Sequence, residues 1–163
     1  MTHWLNVEER AAWVRLASIV ERLPAVLENQ LRRDSDLTHF EYWVLAMLSE
    51  APAHTKSMSD LAELTSATLP RLSHVVTKLG ERGLLKRIPC SDDRRVTNVQ
   101  LSAAGIRKVV AAAPGHVQNV RDHVIDAFSA DDLSSWICLS DRILERIGPE
   151  AVIAAGRLSQ TEE

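Results

Sequence analysis

Residues 57–101 carry the succession that most restricts the fold: helix, turn, helix, then two strand-length runs around a tight loop. Ser57 with Asp60 marks the start of a short helix carrying Leu61 and Leu64. Thr65-Ser66-Ala67 reads as a turn, and Thr68 caps a second helix running to about Arg82. Pro70 falls in its first turn, where a missing N–H costs little, and Gly83 stops it. Residues 84–88 and 96–101 are strand-length and bracket a loop whose tip is Asp92-Asp93-Arg94-Arg95, which predicts an antiparallel pair. A helix-turn-helix followed by such a hairpin predicts a winged helix.

The flanks are helical. Trp13, Leu16, Val20, Leu23, Leu27 and Leu31 recur at steps of three and four and predict one long helix over about 7–32, bent or interrupted at Pro24. Thr38 with Glu41 forms a capping box, with Leu37 placed to staple against Tyr42. The core face of that helix is Phe40, Val44, Met47 and Leu48; Pro52 ends it, and residues 53–56 read as a polar connector. Ser102 caps a helix with the stripe Ile106, Val109, Val110, Ala113, Val117, Val120, Val124 and Phe128, kinked at Pro114-Gly115. Ser129 with Asp132 opens a last helix, whose stripe runs from Leu133 through Trp136, Ile137 and Ile143 to Ile147 before Gly148-Pro149. The predicted class is mainly α, in the order αααα–ββ–αα. Residues 1–34 form an N-terminal dimerisation arm, 35–101 a winged helix-turn-helix, 102–148 C-terminal dimerisation helices and 149–163 a tail.

Charge is unevenly distributed. Residues 68–95 hold seven basic groups (Arg71, Lys78, Arg82, Lys86, Arg87, Arg94, Arg95) against Glu81, Asp92 and Asp93, a net of +4. The whole chain carries −3, so the rest carries −7. One basic window in an acidic protein concentrates attraction for a polyanion at one place. A length of 163 residues and 45% hydrophobic content suit one globular domain with arms. No run of about 18 apolar residues predicts a membrane span, and no secretory signal is read at the N-terminus. With two distant cysteines, Cys90 and Cys138, a reduced cytoplasmic protein is expected. No metal-ligand spacing, phosphate loop or catalytic grouping stands out, so neither a cofactor nor an enzyme is expected.

In the second helix of the motif, Leu72, Val75, Val76 and Leu79 must face inward. That leaves Thr68, Pro70, Arg71, Ser73, His74, Thr77 and Lys78 outside. Hydroxyls, Arg, His and Lys suit a groove of double-stranded DNA: Arg pairs with guanine edges, hydroxyls bond phosphates or bases, and Lys neutralises phosphate. A solvated helix face has the same composition, and the neighbouring turn and wing favour the DNA reading. At the hairpin tip Asp93 pre-orients Arg94 and Arg95 for a narrow minor groove; a salt-bridged turn without a partner is the plainer alternative.

Several short segments together resemble the multiple-antibiotic-resistance regulator (MarR) family: Ser57-Met58-Ser59-Asp60-Leu61-Ala62-Glu63, residues 72–79, Arg82-Gly83-Leu84-Leu85-Lys86-Arg87, Asp93-Arg94-Arg95 and Leu101-Ser102-Ala103-Ala104-Gly105. Each is short; their order and spacing carry the resemblance over about residues 5–147. It implies a homodimeric regulator whose recognition helix enters the major groove while a wing arginine, Arg95 with Arg94 beside it, reaches the minor groove. Ser66 stands where the family's turn usually has Gly, and Gly80 where a Glu is usual.

The outer helices exceed what a winged helix of about 65 residues requires, and they carry Trp4, Trp13 and Trp136. Packing against a second copy is favoured over folding back on one core, and a two-fold dimer presents two recognition helices to a pseudo-palindrome. The resemblance also implies a small aromatic or phenolic effector, with Arg10, Trp13, His39, Tyr42 and Trp43 as local candidates; core packing is the plainer role of each. Cys90, near Lys86, Arg87 and Arg94, is a redox candidate, though an ordinary thiol is favoured. The expected function is an operator-binding stress regulator, a repressor released by an effector. A thiol-based sensor acting through Cys90 and a winged-helix interaction module without DNA binding stay open.

Overall fold

The computed structural model describes residues 1–89 and 96–148. Helix α1 (Val7–Ser35) opens on a capping box: Asn6 Oδ1 accepts from the Glu9 N–H at 2.9 Å, and the Asn6 N–H donates to Glu9 Oε2 at 2.7 Å. It runs three residues past the expected end and closes on Asp36 in the left-handed region (φ 48°), with the Leu37 N–H reaching the Leu31 carbonyl. Pro24 does not interrupt it. Pro24 and Val20, whose carbonyl loses its helical donor, are both exposed, so water can serve that carbonyl.

Helix α2 (His39–Ser49) starts at the predicted capping box, Glu41 N–H to Thr38 Oγ1 at 3.1 Å and Thr38 N–H to Glu41 Oε2 at 2.8 Å. The expected polar connector is instead structured. A 3-10 turn, Pro52–His54, leads into strand β1 (Thr55–Ser57). Three polar residues have no alternation to betray a strand. The pairing comes from outside the segment, through antiparallel contacts with β3 (Thr97–Leu101) and a 3.1 Å bond from Gln100 Nε2 to Thr55 Oγ1. Strand β2 (Leu85–Pro89) pairs with the other edge of β3, from Leu85↔Leu101 to Pro89↔Thr97, in a sheet ordered β1-β3-β2.

Between β1 and β2 lie α3 (Met58–Leu64), capped by Ser57, and α4 (Leu69–Glu81), capped by Thr68. Their turn places Ser66 at φ 49°. Gly83, at φ 71°, ends α4 and lets the Leu84 N–H reach the Leu79 carbonyl. The core joins α1 to α5: Leu31, Leu37, Val44, Leu45, Leu48, Leu61, Leu72, Val76, Leu79 and Val99 are sealed from water. Phe40 only packs against its edge.

Helix α5 (Ala103–His123) starts where Ser102 Oγ accepts from the Gly105 N–H and donates to the Gly83 carbonyl at 2.6 Å. A Cβ at Gly105 would lie 2.0 Å from the Leu84 carbonyl oxygen, so this junction admits only glycine. Pro114 leaves α5 unbroken, with Pro114 and Val110 exposed as at Pro24. The helix ends five residues before the expected Phe128. A 3-10 turn, Ile125–Ala127, follows, and Val124 and Phe128 leave the helical stripe. Helix α6 (Ala130–Ile147) opens on the Ser129–Asp132 capping box and buries none of its residues.

Candidate nucleic-acid interface

Helix α4 stands on Leu72, Val76 and Leu79, all buried, with Val75 half-buried against the same core. A period of 3.6 then sends Thr68, Pro70, Arg71, His74, Thr77 and Lys78 to the exposed side and leaves Ser73 half-buried. The structure therefore brings the seven residues expected from the sequence onto one helix, but they are not equally free. The Arg71 guanidinium lies over the Phe40 ring at 4.1 Å from its centroid. Ser73 accepts from Arg87 Nη2 at both its carbonyl and its hydroxyl, each at 3.0 Å, and Thr77 Oγ1 donates to the same carbonyl at 2.9 Å. Arg87 thereby ties β2 to the middle of α4, a link between residues 14 apart that helical periodicity does not reveal.

Lys78 is engaged by the protein itself. Its Nζ lies 2.7 Å from Oε1 of Glu41, whose side chain is only 3% exposed. Arg82 places Nη1 3.7 Å from Glu41 Oε2, while its Nη2 donates to the Asp36 carbonyl at 2.8 Å and carboxylate at 3.1 Å. Burial works against ionising Glu41. The Lys78 hydrogen bond, the Thr38 N–H and the two nearby cations outweigh it and hold the carboxyl below its ordinary range.

Strand β2 ends at Pro89 and β3 begins at Thr97. Cys90, Asp92, Asp93, Arg94 and Arg95, on which the wing and redox expectations rest, lie outside the described residues.

Of the five effector candidates, the structure groups three. His39 and Tyr42 on α2 meet His116 of α5, with Trp43 against His39: His39–Trp43 ring centroids are 5.8 Å apart, His39–His116 5.9 Å and Tyr42–His116 4.4 Å. Burial pushes His39 down, with Glu28 opposing; burial and the neighbouring His39 push His116 down. Among the described residues, no hydrogen-bond partner reaches the buried His116 Nδ1 or Gln30 Oε1. Arg10 and Trp13 are exposed near the other end of α1. At 1.5 Å per residue, Trp13 lies about 22 Å along the helix from Glu28, so the five do not converge within one chain. The sequence does not single out His116, because its proximity to His39 depends on how α5 crosses α2. Cys138 is exposed on α6.

The arms leave a groove of about 470 Å³ between α1, α5 and α6, walled by Ile19, Leu23, Val124, Phe128 and Trp136 with Arg22 at the side. Trp4, Trp13, Val20, Ile137, Ile143 and Ile147 are exposed on the same arms. No helix among the described residues is long and apolar enough to cross a membrane.

The sequence model of the MarR family matches residues 37–97. Among solved structures, a MarR family transcriptional regulator from Streptomyces coelicolor, crystallised in complex with DNA, is 31% identical. That match covers 91% of this chain and 93% of the other at a TM-score of 0.88. AbsC, a MarR family regulator from the same organism, is 34% identical over 90% of this chain and 98% of its own, at 0.86. A mutant MarR from E. coli complexed with operator DNA shares the fold at 21% identity and a TM-score of 0.72, over 86% and 99% of the two chains. Placed by the family match and by these near-full-length likenesses, the chain belongs to the MarR family, a non-enzymatic family of winged helix-turn-helix transcriptional regulators.

Proposed function

We propose that this chain is a homodimeric repressor that binds pseudo-palindromic operator DNA and is released by a small aromatic or phenolic effector. The observation that carries the reading is the outer face of α4. Arg71, His74 and Thr77 stand exposed there above a buried Leu72–Val76–Leu79 stripe, in a chain 31% identical to a regulator solved with DNA. In this reading α4 enters the major groove with Thr68, Pro70, Arg71, Ser73, His74 and Thr77 toward bases and phosphates. Arg94 and Arg95, oriented by Asp93, reach the adjacent minor groove. No membrane partner is involved, and the protein works in the cytoplasm.

The dimer reading rests on the arms. Tryptophans 4, 13 and 136 are 83%, 58% and 42% exposed in the single chain, and large aromatic surface left in water is costly. A second copy laid along α1 and α6 covers it and sets two α4 helices on one face of the duplex. The effector reading rests on the His39–Tyr42–Trp43–His116 cluster, where α2 of the reading head meets α5 of the arm; a ligand preferring one arm angle shifts the population that fits DNA. Sedimentation analysis of the protein alone and with duplex tests the assembly. The expected result is a dimer that binds one duplex per two chains. A monomer at micromolar concentration, or one chain per duplex, overturns it.

A further inference from the structure

We propose that Glu41 is a positioning residue for DNA recognition: it takes Lys78 of α4 and Arg82 at that helix's C-cap and locks the helix to the α1–α2 joint, so Lys78 holds the helix instead of a phosphate. The inference rests on the DNA reading above and reassigns one residue of the expected contact face.

Both carboxylate oxygens of Glu41 are committed. Oε1 takes Lys78 Nζ at 2.7 Å; Oε2 takes the Thr38 N–H at 2.8 Å and faces Arg82 Nη1 at 3.7 Å. A sealed carboxylate needs these partners, since removing one leaves a buried charge without compensation. Lys78 keeps about half of its side chain in solvent while its ammonium pairs with the sealed carboxylate. Arg82 extends the lock. Its second nitrogen grips the carbonyl and carboxylate of Asp36, the left-handed residue that ends α1. The end of the N-terminal arm, the first turn of α2 and the last turns of α4 are therefore one bonded unit.

Position along α4 agrees. A recognition helix presents its N-terminal residues to the bases. Lys78 lies nine residues into α4, about 14 Å along its axis, where the helix is held rather than inserted. A shift at the end of α1 is thereby passed to the pose of α4 through ion pairs, with no contact to the ligand or to DNA.

The salt dependence of duplex binding separates the two roles of Lys78, because each phosphate that a cation ceases to neutralise lowers the slope of log K against log salt by about 0.9. Lys78→Met, Glu41→Gln and the double variant are compared with wild type by fluorescence anisotropy. Lys78→Met should weaken binding several-fold with the slope unchanged, and Glu41→Gln should cost less once Lys78 is gone than it costs in wild type. A slope reduced by about 0.9 per protomer in Lys78→Met, or fully additive losses, overturns the proposal. The same three variants in thermal unfolding without DNA test the pair directly: non-additive shifts support it and additive shifts overturn it. Wild type that binds no duplex would instead sink the DNA reading, and the unfolding cycle would still decide the pair.

Discussion

The guanidinium of Arg71, on the outer face of α4, stacks on Phe40, a residue of the first turn of α2, at 4.1 Å from the ring centroid. A cation over an aromatic face gains about 0.5–1 kcal/mol at exposed sites, and the larger consequence is a restricted set of rotamers. An arginine held ready loses less freedom when it pairs with a guanine edge. Phe40→Leu is therefore expected to lower the discrimination between operator and single-base variants several-fold while leaving the salt slope as in wild type. Competition anisotropy with paired duplexes measures it; unchanged discrimination would show that the stack does not prepare Arg71.

Two backbone positions carry predictions of the same sign through opposite substitutions. Ser66 sits at φ 49°, where a side chain is strained by about 1 kcal/mol and glycine is not. Ser66→Gly is expected to raise stability by up to about 1 kcal/mol. Gly80 is an ordinary helical position whose added Cβ, among the described residues, would meet the Leu85 carbonyl first, at an ordinary contact distance of 3.7 Å. Gly80→Ala is expected to gain about 0.5–1 kcal/mol. Denaturant unfolding at fixed protomer concentration checks both. A loss in either variant would contradict the local geometry.

The histidine pair gives a pH signature. His39 and His116 are both held below the ordinary histidine value, chiefly by burial. The unfolded chain then binds more protons than the folded one, so stability rises with pH through this window. The destabilisation begins as pH falls through about 6.5, the unfolded histidine value, and is complete only below the folded values. Melting temperature should fall between about pH 7.0 and 5.5, a range chosen to stay above the titration of Glu41. His116→Gln should flatten that fall, since it removes one buried base and the charge facing the other. A profile as steep in His116→Gln as in wild type would refute the assignment.

Trp136 lies beside Phe128, ring centroids 6.0 Å apart, on the open groove of the arms. Trp136→Asp places a carboxylate where the dimer reading puts apolar contact, and removes aromatic area worth kilocalories when buried. Sedimentation should show the dimer dissociating at least tenfold more readily, with operator affinity falling alongside. A variant as dimeric as wild type would move the interface off this groove.

Much of this architecture is legible in the residues because it is made by local chemistry. Capping boxes at Thr38–Glu41 and Ser129–Asp132, the cap at Ser102 and the α4 stripe depend on neighbours within one or two turns. The Asn6–Glu9 box is equally local, and the apolar stripe places the start of α1 without it. Other features are long-range. Strand β1 exists because β3 passes beside it, and the end of α5 at His123 follows from how the chain turns back toward α6. Within the site, periodicity places Lys78 on the outer face correctly, yet its charge is claimed by Glu41, 37 positions earlier. No pattern confined to α4 carries that information. Arg87 on Ser73 and His116 against His39 are hidden in the same way.

Enrichment of duplexes from a random pool by wild type and by Arg71→Ala shows whether the outer face of α4 reads sequence. Wild type should converge on a pseudo-palindrome with half-sites one helical turn or a multiple apart. Arg71→Ala should relax or change the preference at one position in each half-site, worth about 1–3 kcal/mol. Convergence of both proteins on the same motif with the same strictness, or no convergence by wild type, would take base reading away from this face.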